Sequence, residues 1–295
     1  MFDFANIMNA YEDSNPTPPV VIPSTPSTPS APKLPLPNIP GVYNWPALVF
    51  ALTVDTTGPN AVNLATMSNT AGTFMYNLGY LVADATNSPS WGGLHSLSDS
   101  WYLSQIQQIR NFGGDVMISF GGPKGQELAQ VITSASKLKT QYQNVIDSYS
   151  ISWLDFTFKV HRSLTAHPSM CAMPLSVVSR LSFQISVLHT HCQLHQLGCL
   201  VMQCMCSHRP IMQVFVSMCK AAYTQVKATG LAYFSMGITP VIGNGEYAGA
   251  TFSANDASQV LLFARSNSWV AYVSSSTANT DVAYQTTNVL RGFGL

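Results

Sequence analysis

A chain of 295 residues is long enough to bury one large core, and a single α/β barrel needs only about 250. Thirteen Lys and Arg balance thirteen Asp and Glu, so no net field draws the chain to nucleic acid or an acidic lipid surface, and neither is expected as a partner. Charged residues make up only 9%, against about 25% in average soluble domains, and no apolar run reaches the ~18 residues that would span a bilayer.

Residues 1–16 (MFDFANIMNAYEDSNP) have no basic start followed by an apolar stretch, so they do not read as a signal peptide. From 16 to 40 the chain is rich in Pro, Ser and Thr (PTPPVVIPSTPSTPSAPKLPLPNIP). Repeated proline removes hydrogen-bond donors and fixes φ, which favours an extended spacer over a helix or strand. The expected organisation is a disordered segment and linker over 1–41, followed by one globular domain over 42–295.

Residues 47–54 (ALVFALTV) and 73–82 (TFMYNLGYLV) read as the first two strands, with a helical interval around 61–67. Residues 84–93 (DATNSPSWGG) carry the Gly, Pro and Asn signals of a loop, with Trp91 on it. Over 100–110, Trp101, Leu103, Ile106 and Ile109 form a helical stripe. In 113–122 (GGDVMISFGG) the run from Val116 to Phe120 is apolar at nearly every position, as in a strand buried on both faces of a parallel sheet. Gly121 and Gly122 then allow a sharp turn and a close approach of the backbone to a ligand or a neighbouring strand. Gly113 and Gly114 precede a strand rather than opening a helix, so they imply no phosphate cradle. A longer helix over 126–146 leads into 151–159 (ISWLDFTFK), which completes a βαβ unit. Asp155, Thr157 and Lys159 alternate along that strand and so share one side of the sheet. In a closed parallel barrel, polar side chains at such strand ends line the catalytic mouth.

Composition then changes abruptly. All six cysteines and six of the seven histidines lie between 161 and 219, and no Asp or Glu occurs from 156 to 245. Within this block only 183–188 (FQISVL) suggests a strand. Three readings compete. His189, His191, Cys192, His195, Cys199, Cys204, Cys206 and His208 supply ligand types for zinc, but not at the spacing of familiar sites. The six cysteines would also permit a disulfide cluster in an oxidising compartment. The third reading is a shifted coding frame from near Thr157 to near Met218, which accounts together for the missing acids and the His, Cys and Met enrichment. No metal and no cofactor is expected. Beyond the block, 221–227 reads as a helix, 234–242 (FSMGITPVI) as a strand, 255–265 (NDASQVLLFAR) as a helix, 271–279 (AYVSSSTAN) as a strand and 281–290 as a short final helix.

Two motifs give these elements a common context. Ser119-Phe120-Gly121-Gly122 resembles the SxGG motif on the third strand of family 18 glycoside hydrolases, the chitinase family. Asp155-Phe156-Thr157-Phe158-Lys159 occupies the place of their fourth-strand DxDxE motif, and 99–122 and 219–239 also resemble the family's barrel. The resemblance implies an α/β fold, a (β/α)8 TIM barrel, with an irregular or incomplete stretch between strands 4 and 7. It also implies a monomer that needs no cofactor, works outside the cell, and takes chitin or chito-oligosaccharide as its partner. Asp155, Thr157 and Lys159 then stand at the catalytic positions, Ser119, Gly121 and Gly122 on the substrate side, and Trp91 as a sugar-stacking platform. The plainer alternative for Trp91 is packing over the barrel rim.

The departures bear on chemistry. In the family the terminal Glu of the motif protonates the leaving oxygen, and the preceding Asp orients the substrate's acetamido group, which is the nucleophile in place of a second carboxylate. Here Thr157 and Lys159 hold those two places. A lysine titrates near ~10.4 where a glutamate titrates near ~4.3, so a cation would face a positively charged transition state. The family's sixth-strand Tyr is missing, since no Tyr lies between 150 and 222, and Ser276 or Ser275 stands where a Trp floors the central sugar subsite. The expectation is a chitinase-family protein with impaired hydrolysis. The alternatives are a lectin-like chitin-binding protein and a translation product without function.

Overall fold

The structure is a computed structural model that describes residues 45–58, 62–122, 124–158, 180–185, 200–206, 234–240, 252–281 and 284–294, together with Val216, Cys219, Lys220, Tyr223, Thr224, Lys227 and Ile242. The Pro-rich segment expected over 1–41, Lys159, and most of the cysteine and histidine block lie outside the described residues.

Eight strands run parallel: β1 (Val49–Asp55), β2 (Met75–Ala83), β5 (Asp115–Gly121), β6 (Trp153–Phe158), β7 (Arg180–Ile185), β8 (Leu200–Cys206), β9 (Phe234–Pro240) and β10 (Val270–Ser275). They pair in that order, and β10 pairs again with β1. Two short strands, β3 (Pro89–Trp91) and β4 (His95–Ser96), join the outer side of β2 as an antiparallel extension. The helices are α1 (Leu64–Ala71), α2 (Leu103–Asn111), α3 (Leu128–Val131), α4 (Ala135–Tyr149), α5 (Ala254–Arg265) and α6 (Gln285–Leu290). Among the described residues, none of them is long and apolar enough to cross a membrane.

Alternation along each strand sorts the two faces. Phe50, Leu52 and Val54 of β1, Val116 and Ile118 of β5, and Leu154 and Phe156 of β6 pack outward with Leu64 and Met67 of α1, Ile106 and Ile109 of α2, and Leu138 and Tyr142 of α4. Val49, Ala51, Met117, Trp153 and Tyr272 face the other way and form a separate inner cluster with Trp45. Trp153 sits 4.9 Å from Trp45 edge-on and 5.6 Å from Tyr272, ring centre to ring centre. Both faces of these strands are therefore apolar near their amino ends, which is why their sequences read as continuous hydrophobic runs.

The strands expected from the sequence at 47–54, 73–82, 116–120 and 151–159 are present, their ends shifted by one or two residues. Other expectations need correction. The loop at 84–93 contains β3, because a turn through Gly92 and Gly93 folds His95 and Ser96 back onto it. The single helix expected over 126–146 is two helices, since the Ser134 hydroxyl accepts from the Lys137 amide and starts α4 afresh. The fifth strand begins three residues earlier than the run at 183–188 suggested. Helix α5 begins at Ala254, one residue before the expected start, and is capped by Ser253 through a reciprocal capping box with Asp256.

One ion pair ties three elements together at the amino end of β5. Arg110, in the last turn of α2, bonds Asp115 of β5 through Nε at 3.0 Å and the backbone carbonyls of Tyr149 and Ser150 after α4 at 2.8 and 2.9 Å. Burial pushes the Asp115 carboxyl above the usual carboxylate range, and the Arg110 guanidinium opposes that rise. Because the folded value is raised, this carboxyl favours folding while protonated, and that contribution is lost as pH climbs from the unfolded value through the folded one. Removing the guanidinium raises the folded value further and widens the window of loss. Arg110→Ala should therefore cost about 3 kcal/mol or more at neutral pH, and less at pH 4. Urea unfolding at the two pH values checks this; a deficit that stays constant or grows on acidification would contradict it.

Candidate active site

The polar residues that face inward sit above the aromatic inner cluster, toward the carboxyl ends of the strands. On β6 the alternation that turns Leu154 and Phe156 outward turns Trp153, Asp155 and Thr157 inward, as expected from the sequence. Asp155 is fully buried, and its Oδ2 accepts a hydrogen bond of 2.9 Å from the Nδ2 of Asn77 on β2. That bond passes over β5, which lies between the two strands. Ser119 on β5 and Thr157 share a hydroxyl–hydroxyl bond of 3.0 Å. Across the seam between first and last strands, Thr53 and Ser274 hydroxyls are 2.8 Å apart, and Ser274 donates to the Ala51 carbonyl at 2.6 Å. Ser274 has one proton to give, so Thr53 is the donor to it.

The glycine pair after Ser119 serves the strand ends. Gly121 and Gly122 have φ of +88° and +91°, and a Cβ on Gly121 would lie 2.2 Å from the Thr157 carbonyl oxygen. A Cβ on Gly122 would lie 2.4 Å from the Tyr80 ring. The Gly122 amide donates to the same Thr157 carbonyl at 3.1 Å. Of the two partners expected for these glycines, the described residues show the neighbouring strand. The side chain of Glu127 comes alongside, its Cγ 3.1 Å from where a Gly121 Cβ would be.

At the end of β1, Asp55 is partly buried and held from several sides. The Asn279 amide brackets its backbone, accepting from the Asp55 N–H and donating to the Asp55 carbonyl, both at 3.0 Å. Its Oδ1 accepts from the Thr57 amide at 3.0 Å and the Thr57 hydroxyl at 3.2 Å. Neither Asn77 nor Asp55 was singled out from the sequence. The available signal was a lone polar residue in an otherwise apolar strand for Asn77, and for Asp55 its place two residues beyond Thr53 on the same face.

Ser276, expected where the family has its floor Trp, is buried just beyond β10, its backbone bonded to Pro240 and Ile242 at 2.9 Å. A serine there offers no aromatic face. Among the described residues no group of three His, Cys, Asp or Glu is arranged to hold a metal ion. Cys219 is buried in the outward-facing core.

Trp91 corrects the expectation of a sugar platform. It is 0% exposed, its Nε1 donates to the Tyr149 hydroxyl at 2.7 Å, and the two rings meet edge to face at 5.6 Å. Pairing of Leu81 with Trp91 places the indole on the outer side of β2, under α4, away from the inward residues. No ring face is left for a ligand. Trp91→Ala should lower stability by about 3–5 kcal/mol, read from thermal melts; unaltered stability would contradict the packing role.

No family model matches the chain. A stretch of 114 residues is 30% identical to the probable bifunctional chitinase/lysozyme of Escherichia coli (strain K12), covering 38% of this chain and 13% of that protein. A stretch of 112 residues is 28% identical to Endochitinase 11 of Metarhizium anisopliae, covering 38% of this chain and 21% of that one. The match thus spans well under half the length of either curated relative. Among solved structures, the catalytic domain of the hyperthermophilic chitinase from Pyrococcus furiosus superposes with a TM-score of 0.75 at 18% identity, over 86% of this chain and 97% of that one. The ICChI chitinase from Ipomoea carnea follows at 0.59 and 12%, over 81% and 98%. The xylanase and α-amylase inhibitor protein XAIP-II from Scadoxus multiflorus gives 0.56 at 14%, over 85% and 100%. Over the matched stretch the sequence is similar to that of these two chitinases, and over most of its length the chain shares the fold of the solved chitinase structures.

Proposed function

We propose that the eight strands are the (β/α)8 barrel of a family 18 protein, and that its mouth binds chito-oligosaccharide while hydrolysing it poorly. The observation that carries this reading is what β6 delivers to the inside. Asp155 arrives where the family motif needs its first acid, tied to Asn77, but the next inward position is Thr157, a neutral group bonded to the Ser119 hydroxyl. The position after that in the alternation is Lys159. A leaving sugar needs a proton, and a positioned acid commonly contributes about 10²–10⁴ in rate. An ammonium is a far weaker acid than a carboxyl group at neutral pH and would oppose the positive charge that develops on the ring. The Pyrococcus furiosus chitinase with this fold is known in complex with chito-oligosaccharides, which supports the same ligand class here.

The second reading, a lectin-like protein that holds chitin without cleaving it, is favoured by the replaced motif and by the use of this fold in an inhibitor protein. Fold alone does not carry chemistry. The missing floor Trp weighs against tight binding.

Turnover of a chromogenic chitobioside by the purified chain should fall at least about 100-fold below that of a family chitinase assayed alongside. Ordinary turnover would overturn the impairment. Retention on chitin beads without soluble product marks the lectin-like reading, and a broad, noncooperative melt the product without function. Lys159→Glu alone should not restore activity, because Thr157 and Ser276 remain; near-normal turnover in that variant would contradict this reading. The block over 157–219 is attributed to a shifted coding frame, so the coding DNA should encode an Asp-x-Glu after Asp155 in another frame. Its absence from both other frames would remove that attribution.

A further inference from the structure

The inward hydroxyls near the strand ends are satisfied by one another or by a strand carbonyl. Thr53 donates to Ser274, which donates to the Ala51 carbonyl, and Ser119 is bonded to Thr157. The amide of Asn77 is different. It is fully buried on β2, where the residues paired with it are Thr53 on β1 and Met117 on β5. Its Nδ2 reaches over β5 to the Asp155 Oδ2 at 2.9 Å, while its Oδ1 accepts no hydrogen bond among the described residues. The paired residues have none to give: Thr53 has committed its single proton to Ser274, and a methionine side chain has no proton to donate.

One half of this amide therefore works against the fold. A buried acceptor left unsatisfied costs about 1–3 kcal/mol, and a leucine of similar size would fill the same place without that penalty. What a leucine lacks is the N–H aimed at Asp155. An ionised aspartate of the same shape would set acceptor against acceptor. Hydrogen bonds to a carboxylate are stronger than neutral ones, so the donor end is what accounts for an amide at this position. It acts on the β6 residue that stands at the first acid of the motif, one inward step below Thr157. Asn77 itself does not meet a ligand, since it is 0% exposed and level with Met117 of the inner cluster. Its influence on the mouth passes through Asp155.

We infer that Asn77 is a positioning residue of the ligand site, holding the Asp155 carboxylate in the orientation that chito-oligosaccharide binding uses. The inference rests on the sugar-binding reading given above. It adds β2 to a machinery that the two family motifs place on β5 and β6 alone.

A double-mutant cycle, read by calorimetric titration of the full chain with chitotetraose, tests this. Asn77→Leu should bind about 10-fold more weakly than the natural protein, and Asp155→Ala should bind more weakly as well. Because Asn77 acts through Asp155, the double variant should bind no more weakly than Asp155→Ala alone. Losses that multiply, or natural affinity in either single variant, would overturn the inference and leave the sugar-binding reading standing. No binding by the natural protein would overturn that reading and this inference with it. If Asn77→Leu does not fold, Asn77→Ser, too short to reach Asp155, enters the same cycle and is read in the same way. Nuclear magnetic resonance separates positioning from packing: the Asn77 side-chain NH2 signal of the natural protein should shift as chitotetraose binds. A fixed signal in a protein that does bind would mean that Asn77 only fills space, and would overturn the inference.

Discussion

Closing parallel strands on themselves imposes one constraint from which the rest follows: an inward side chain must be satisfied within the ring, by another inward side chain or a strand carbonyl, or by what enters the mouth. Leaving a buried polar group without a partner costs about 1–3 kcal/mol. The chain meets this constraint in two tiers. Near the amino ends it places Trp45, Met117, Trp153 and Tyr272, which fill space without asking for many partners. Nearer the carboxyl ends it places hydroxyls, an amide and a carboxylate that pair across strands.

The Asn77–Asp155 bond shows what the ring adds to a flat sheet. The two residues are separated by an intervening strand, and their contact depends on curvature bringing their side chains inward over Met117 and Ser119. The glycine pair depends on the same crowding, since any side chain at Gly121 would collide with the Thr157 carbonyl. The motif residues therefore have an architectural role that does not require catalysis. With Thr157 inward on β6, β5 and β6 pair in parallel, Ser119 level with Asp155 and Gly121 level with Thr157.

Much of this was readable from residue order, and the failures have physical causes. Strands β1, β2, β5 and β6 announce themselves because both of their faces are buried, giving unbroken apolar runs. Alternation also placed Asp155 and Thr157 on a common side, and one-to-one pairing then put Ser119 level with Asp155. Alternation says nothing about which way a three-residue strand faces, so the burial of Trp91 beneath α4 was invisible until β3 had a partner. The break between α3 and α4 was hidden because Ser134 is an ordinary helix-surface residue until its hydroxyl is seen to cap. Strand β8 (LVMQCMC) is apolar almost throughout, without a period or turn signals to mark its ends. Asn77 and Asp55 were passed over because each is one polar residue without a motif, and their importance comes from neighbours distant in the chain.

The Asn279 bracket around Asp55 joins positions 224 residues apart. Loop closure of that length is settled late, after local helices and neighbouring strands have formed. A ribosome-bound chain that still lacks its final strand would already carry β5, β6 and the whole βαβ unit, yet its entrance would remain unshaped on the β1 side. The bracket around Asp55 is thus available only once residue 279 has been synthesised.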